Sequence, residues 1–153
     1  MGSGKSSIGR VLAKDINMYF LDTDLMIENN EGKTIADIFS LDGEKYFRSL
    51  ENKTVSWLSK NVNEAVISTG GGMLVYCEKL KDLGLVVYLK VSFETIIERM
   101  SKEELEKRPL FKNLTEAKNI YDERNLIYEE KADLIIDADD TIASIINKIK
   151  NLI

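Results

Sequence analysis

The sequence predicts an α/β fold, a parallel sheet covered by helices on both faces, and three observations lead there. Short β-rich runs alternate along the chain with stretches whose apolar residues recur at three- and four-residue spacing, the pattern of βαβ units. At 153 residues the chain has the length of about one domain. Its 44% hydrophobic and 31% charged residues match globular averages, and 9 Gly with a single Pro are too few breakers for a low-complexity chain.

The elements follow in order. A helix is predicted over 7–15, then a strand over 18–21 that ends at Asp22-Thr23-Asp24, with a helix opening near Leu25. Helices are expected over 34–40 and 44–60; Thr34-Ile35-Ala36-Asp37 reads as a capping box with Asp in the acidic slot. The run 65–69 is a second strand and 85–91 a third; Ser92 caps a helix over 93–100. Segment 101–113, SKEELEKRPLFKN, is highly charged and holds Pro109, so it reads as a surface flap within a single domain spanning 1–153. A helix over 115–131, a fourth strand over 134–138 and a helix over 141–153 complete the chain.

Composition removes several chemistries. With no histidine and one cysteine, Cys77, the chain can form no internal disulfide, no Cys/His zinc site and no Ser-His or Cys-His catalytic pair. Acid–base work falls to Asp, Glu, Lys or Tyr. A net charge of −5 argues against non-specific nucleic-acid binding. The longest apolar stretches, such as Leu85-Val86-Val87-Tyr88-Leu89, are far below the ~20 residues that cross a bilayer. A single cysteine and no apolar leader make the cytoplasm the expected location.

Gly2-Ser3-Gly4-Lys5-Ser6 is the second half of G-x-x-x-x-G-K-[ST], a loop whose backbone N–H groups and following helix wrap nucleotide phosphates. Lys5 would reach the β- and γ-phosphates and Ser6 would hold Mg²⁺. The motif's first glycine falls ahead of Met1. Asp22 and Asp24 stand where a strand ends, the edge at which open α/β sheets bind ligands. Strand alternation would point both carboxylates the same way, and they can divide metal support from orientation of an acceptor hydroxyl; either could instead only cap the next helix. Gly70-Gly71-Gly72 follows the second strand, and three glycines permit a close approach that Cβ atoms would block. Arg48, Arg108 and Arg124 are each usually solvated charges, but beside a phosphate loop they suggest clamps for carboxylate and phosphate.

These motifs together resemble the shikimate kinases, P-loop enzymes of the nucleoside-monophosphate-kinase type. GSGKS followed by IGRVLA, LDTD, IADIF-x-x-DGE-x-x-FR-x-x-E from Ile35 to Glu51, STGGG, RPL, and R-x-x-x-Y at Arg124 and Tyr128 occur in that family's order over nearly the whole chain. The resemblance implies a P-loop kinase fold of strand order 2-3-1-4-5 and ATP-dependent phosphorylation of the 3-hydroxyl of shikimate, by a monomer. It places Gly2, Ser3, Gly4, Lys5, Ser6 and Ser7 on ATP, with Ser6 and, through water, Asp22 on Mg²⁺. Asp24 would hold or deprotonate the hydroxyl. Arg48 and Arg124 would grip the substrate carboxylate, and Gly70, Gly71 and Gly72 would line the pocket. Arg108 would stabilise the transferring charge from the lid, and Arg99 would pack on adenine.

The sequence departs from that family at its start, where the family has a strand feeding the loop through roughly ten more residues that include the loop's first glycine; a misassigned start, a shortened chain or a protein that does not hold ATP normally would each account for it. A form starting at Met1 is then expected to be poorly folded or strand-swapped, because unpaired ladder groups cost roughly 1–3 kcal/mol each. Two rival functions remain, a gluconate-kinase-like enzyme and a shikimate-binding protein without catalysis. The DTD, FR-x-x-E and GGG set favours the shikimate site over the first.

Overall fold

The computed structural model describes residues 2–100, 111 and 113–153. The chain divides into two compact units, Lys5–Leu85 and a second made of Met1–Gly4 with Val86–Ile153.

In the first unit, helix α1 (Lys5–Asp15) turns Ile8, Leu12 and Ala13 inward and lies against strands β1 (Tyr19–Asp22) and β2 (Ala65–Ser68). Asn17 closes α1 at φ 56°, the left-handed region that asparagine tolerates better than most residues. The strands pair in parallel with Tyr19 opposite Ala65 and Asp22 opposite Ser68, so the ends that carry the DTD and STGGG motifs lie side by side. Helix α2 (Thr23–Glu31) starts directly from β1. Helix α3 (Ile35–Leu41) begins at Thr34, whose hydroxyl oxygen accepts from Asp37 N at 3.1 Å and donates to Asp37 Oδ2 at 2.7 Å. The capping box is present in a variant form, with the acid on the Thr34 hydroxyl.

Helix α4 (Gly43–Asn61) runs as the sequence predicts and buries Phe47, Leu50, Val55 and Leu58. With Ile27, Ile38, Met73, Cys77 and Leu80, the first three of these build the unit's main core. Beyond the glycines, a one-turn helix α5 (Met73–Tyr76) and a 3₁₀ segment (Glu78–Leu83) were not anticipated by periodicity. They close the core through Met73, Cys77 and Leu80. Burial is the main influence that pushes the Cys77 thiol up to about 11, with the charge of Glu51 adding to it. Almost no thiolate then exists near neutral pH, and a disulfide reagent is expected to modify Cys77 only after denaturation. Rapid labelling of the native protein at pH 7 would contradict that burial.

In the second unit, β3 (Val87–Lys90) pairs in parallel with β4 (Leu134–Asp137), Val87 opposite Leu134. Helix α6 (Phe93–Arg99) is capped by Ser92, whose Oγ accepts from Thr95 N at 3.1 Å, as expected. Helix α7 (Leu114–Lys131) reaches back to the sheet through Tyr121, whose hydroxyl donates to Val91 O at 2.8 Å. Helix α8 (Ile142–Lys150) buries Ile145, Ile146 and Ile149 beside β4. Among the described residues the strands form two parallel pairs, β1-β2 and β3-β4. The expected flap falls almost entirely outside the described residues. No described helix is long and apolar enough to cross a membrane.

Candidate active site

Gly2 and Gly4 hold φ values of 65° and 77°, left-handed backbone that a loop curling its N–H groups inward requires. Lys5, Ser6 and Ser7 open α1, whose first-turn N–H groups have no partner within the helix. Ser6 Oγ donates to Asp22 Oδ2 at 2.7 Å and lies 3.3 Å from Ser68 Oγ. The end of β2 therefore adds a hydroxyl to the Ser6–Asp22 pair. This is an all-oxygen set with one carboxylate, and no His/Cys/Asp/Glu cluster of three occurs among the described residues. Such a set suits Mg²⁺, which uses one or two protein groups beside phosphates and water.

The two aspartates are not arranged as strand alternation suggests. Asp22 is the last strand residue, and its Oδ1 caps α2, accepting from Asp24 N at 3.1 Å and Leu25 N at 3.4 Å. Asp24 is already helical. The pair straddles a strand-to-helix junction, and one Asp22 carboxylate both caps the helix and receives Ser6. Between them the fully buried Thr23 accepts from Gly70 N at 3.0 Å, locking the DTD turn to the glycine turn.

Gly70 is needed as glycine. A Cβ there would lie 2.6 Å from Asp24 Oδ1, so that carboxylate would have to move, and 3.2 Å from Glu51 Oε1, which would have to give by a few tenths of an ångström. Gly70→Ala is thus expected to displace Asp24 and lower kcat by roughly 10- to 100-fold, read by steady-state ADP release. Native rates in that variant would show that the Asp24 position is irrelevant to the chemistry.

Arg48 completes this face. Its Nε and Nη2 donate to Glu44 Oε1 at 3.1 and 2.9 Å, and its Nη1 donates to Glu51 Oε2 at 2.7 Å. Glu51 is essentially buried, with 1% of its side chain exposed against 17% for Arg48. Burial, the largest influence, works against the Arg48 charge. Glu51 and Glu44 outweigh it, so its pKa lies above the ordinary arginine value. Gly72 presses on the guanidinium, where a Cβ would stand within clashing distance of Nη1 and 3.0 Å from Cζ. The Arg48 guanidinium at Gly72 and the Asp24 carboxylate at Gly70 are therefore both framed by the glycine turn, with Glu51 reaching each of these positions. An anionic group and a hydroxyl on one small molecule could be held there together.

The family model for shikimate kinase matches residues 1–153. The chain belongs to the shikimate kinase family. A shikimate kinase from Helicobacter hepaticus (strain ATCC 51449 / 3B1) is 46% identical over 149 residues, 97% of this chain and 89% of that protein. A structure of shikimate kinase from Acinetobacter baumannii in complex with shikimate superposes with a TM-score of 0.89 at 33% identity, covering 99% of this chain and 87% of that one. A gluconokinase from Sinorhizobium meliloti 1021 is 18% identical with a TM-score of 0.51, covering 97% of this chain and 83% of that one, a likeness of fold alone.

The other residues of the shikimate kinase pattern stand elsewhere. Arg124 is on α7, half-buried, one turn before Tyr128. The Tyr128 ring packs against that of Tyr88 in a tilted arrangement, with centroids 5.1 Å apart. Arg99, exposed at the end of α6, donates through Nη2 to the Ala138 carbonyl at 3.0 Å. Arg108 lies outside the described residues. Sequence reasoning missed Ser68, Thr23, Glu44 and the work of Glu51. Ser68 and Glu51 sit inside the STGGG and FR-x-x-E strings, so the signal was available, but a pairing register and a helix face were needed to read it.

Proposed function

We propose that this chain transfers the γ-phosphoryl group of ATP to the 3-hydroxyl of shikimate. The observation that carries the reading is the grouping of Arg48, Asp24, Gly70 and Gly72 in a protein whose family is shikimate kinase. Arg48 receives the substrate carboxylate in a charge-assisted contact, and Arg124 is assigned to the same carboxylate from its motif position. Asp24 accepts a hydrogen bond from the 3-hydroxyl and aims its oxygen at the γ-phosphorus. A new O–P bond forms as the bond to ADP breaks, and the hydroxyl proton leaves toward Asp24.

Gly2, Ser3 and Gly4, with the first turn bearing Lys5, Ser6 and Ser7, wrap the phosphates, and Lys5 neutralises charge that builds on them. Mg²⁺, held by Ser6 with Asp22 behind it through water, would supply charge neutralisation between phosphate oxygens. Arg108 is assigned to the transferring group, and Arg99 offers adenine the flat face of its guanidinium. The protein is proposed to work as one kinase domain, a cytoplasmic monomer.

The test is coupled ADP release with shikimate, with gluconate and with no acceptor. Release only with shikimate is expected; release with gluconate, or binding of shikimate without turnover, would favour one of the two rivals. Arg124→Lys keeps the charge but loses the two-pronged contact, and calorimetry is expected to show roughly tenfold weaker shikimate binding. Unchanged affinity would remove Arg124 from the carboxylate.

A further inference from the structure

Two carboxylates hold the edges of the Arg48 guanidinium, but edge contacts leave a planar group free to tilt. A face contact is supplied by Tyr76. The Arg48 Cζ stands 4.1 Å from the centre of the Tyr76 ring, closer than to Phe47 at 5.3 Å or Phe39 at 5.8 Å. The sequence builds this contact through one turn of helix. Tyr76 N donates to Gly72 O at 3.0 Å, so the residue whose missing Cβ admits the guanidinium and the residue whose ring supports it are one turn apart. Met73, fully buried, and Cys77, 3% exposed, anchor the turn on either side, while Tyr76 itself is 46% exposed. The ring is thus held by its neighbours in the core rather than by burial of its own.

An aromatic face attracts a guanidinium, and the weak hydration of arginine lets it stack without a large desolvation cost. A two-pronged contact with a carboxylate needs both N–H groups in the plane of the acceptor, so tilt directly costs affinity. We propose that Tyr76 is a positioning residue that fixes the tilt of Arg48 and so sets the affinity for the substrate's carboxylate. The proposal rests on the reading of Arg48 as the carboxylate arm.

Steady-state kinetics and shikimate calorimetry on the full chain test it, using Tyr76→Leu, Tyr76→Phe, Arg48→Ala and the Tyr76→Leu/Arg48→Ala double variant. Tyr76→Leu is expected to raise the shikimate KM and Kd roughly three- to tenfold, with kcat and the ATP KM changed by less than about twofold. Tyr76→Phe restores native affinity, since it keeps the ring, and Tyr76→Leu has no further effect once Arg48 is Ala. Tyr76→Met serves in place of Leu where the Leu variant melts early. Native affinity in the Leu variant, a Phe variant as weak as Leu, or an equal Tyr76 effect with and without Arg48 would each overturn the proposal while leaving the Arg48 reading intact. Unchanged shikimate affinity in Arg48→Ala would instead overturn that reading and the proposal together.

Discussion

Asp24→Asn is expected to cut turnover by roughly a thousandfold while moving the melting midpoint by no more than about 2 °C. The chain contains no histidine, so no imidazole can take over proton transfer. Asp24 is the helical member of the DTD turn, and its Oδ1 is brought under Gly70 beside Glu51. An amide of the same shape fills the same space and leaves intact the bonds from Gly70 N to Thr23 and from Asp24 N to Asp22. What it loses is a negative acceptor for the hydroxyl proton at the moment of transfer, an interaction stronger in the transition state than in the bound substrate. Shikimate affinity should therefore fall less than kcat. Native turnover in a variant with a lowered melting midpoint would reverse the assignment and make Asp24 a structural residue.

The separation of duties between Asp22 and Asp24 comes from the junction that holds them. A strand ending in Asp can cap the helix that follows, since extended backbone at the cap position lets the side chain turn back onto the first N–H groups. Capping consumes Asp22 Oδ1 and leaves Oδ2 for Ser6. Two residues later the chain is helical, and the second carboxylate lies against the glycine turn at Gly70. The same short string thus brings one acid to Ser6 and the other to the glycine turn, the division on which the proposed roles of the two aspartates rest.

The larger elements were legible because their periodicity is long enough to read. Helix Gly43–Asn61 carries five turns of apolar spacing, and strands Ala65–Ser68 and Leu134–Asp137 are β-rich runs between polar boundaries. Thr34 and Ser92 were readable as caps because that chemistry is local. The turn Met73–Tyr76 was not, since four residues are too few for a helical pattern, and Met73 is buried for tertiary reasons. Lys5, Ser6, Asp24 and Arg48 were visible as motif members. The contacts that give them shape, Ser68 on Ser6, Thr23 on Gly70 and Tyr76 on Arg48, join residues whose proximity depends on strand register and helix packing. Residue type and spacing do not encode that directly.

Glu51→Ala is expected to be the most destabilising change at the site, lowering stability by roughly 3 kcal/mol and the melting midpoint by roughly 10 °C. The acid is almost wholly buried and receives Arg48 Nη1 at 2.7 Å. Removing one partner of such a pair leaves the other charge short of compensation, which ordinarily costs more than the intact pair contributes. The loss should sit at the lower end of the usual range, because Arg48 keeps Glu44 and retains 17% exposure of its side chain. The vacated space beneath Gly70 adds a cavity cost. Function should fail alongside stability: without Glu51, Glu44, whose side chain is 57% exposed, is the remaining carboxylate on the guanidinium among the described residues, and the proposed arm for the substrate carboxylate loses its orientation. Glu51→Gln separates the two effects, since it keeps the volume and an acceptor for Nη1 but not the charge. It should recover most of the melting midpoint yet still bind shikimate several times more weakly, by roughly 1 kcal/mol. Thermal unfolding and calorimetry on both variants decide the matter, and an Ala variant that melts like the parent would mean that this buried acid neither holds the fold together nor sets the position of Arg48.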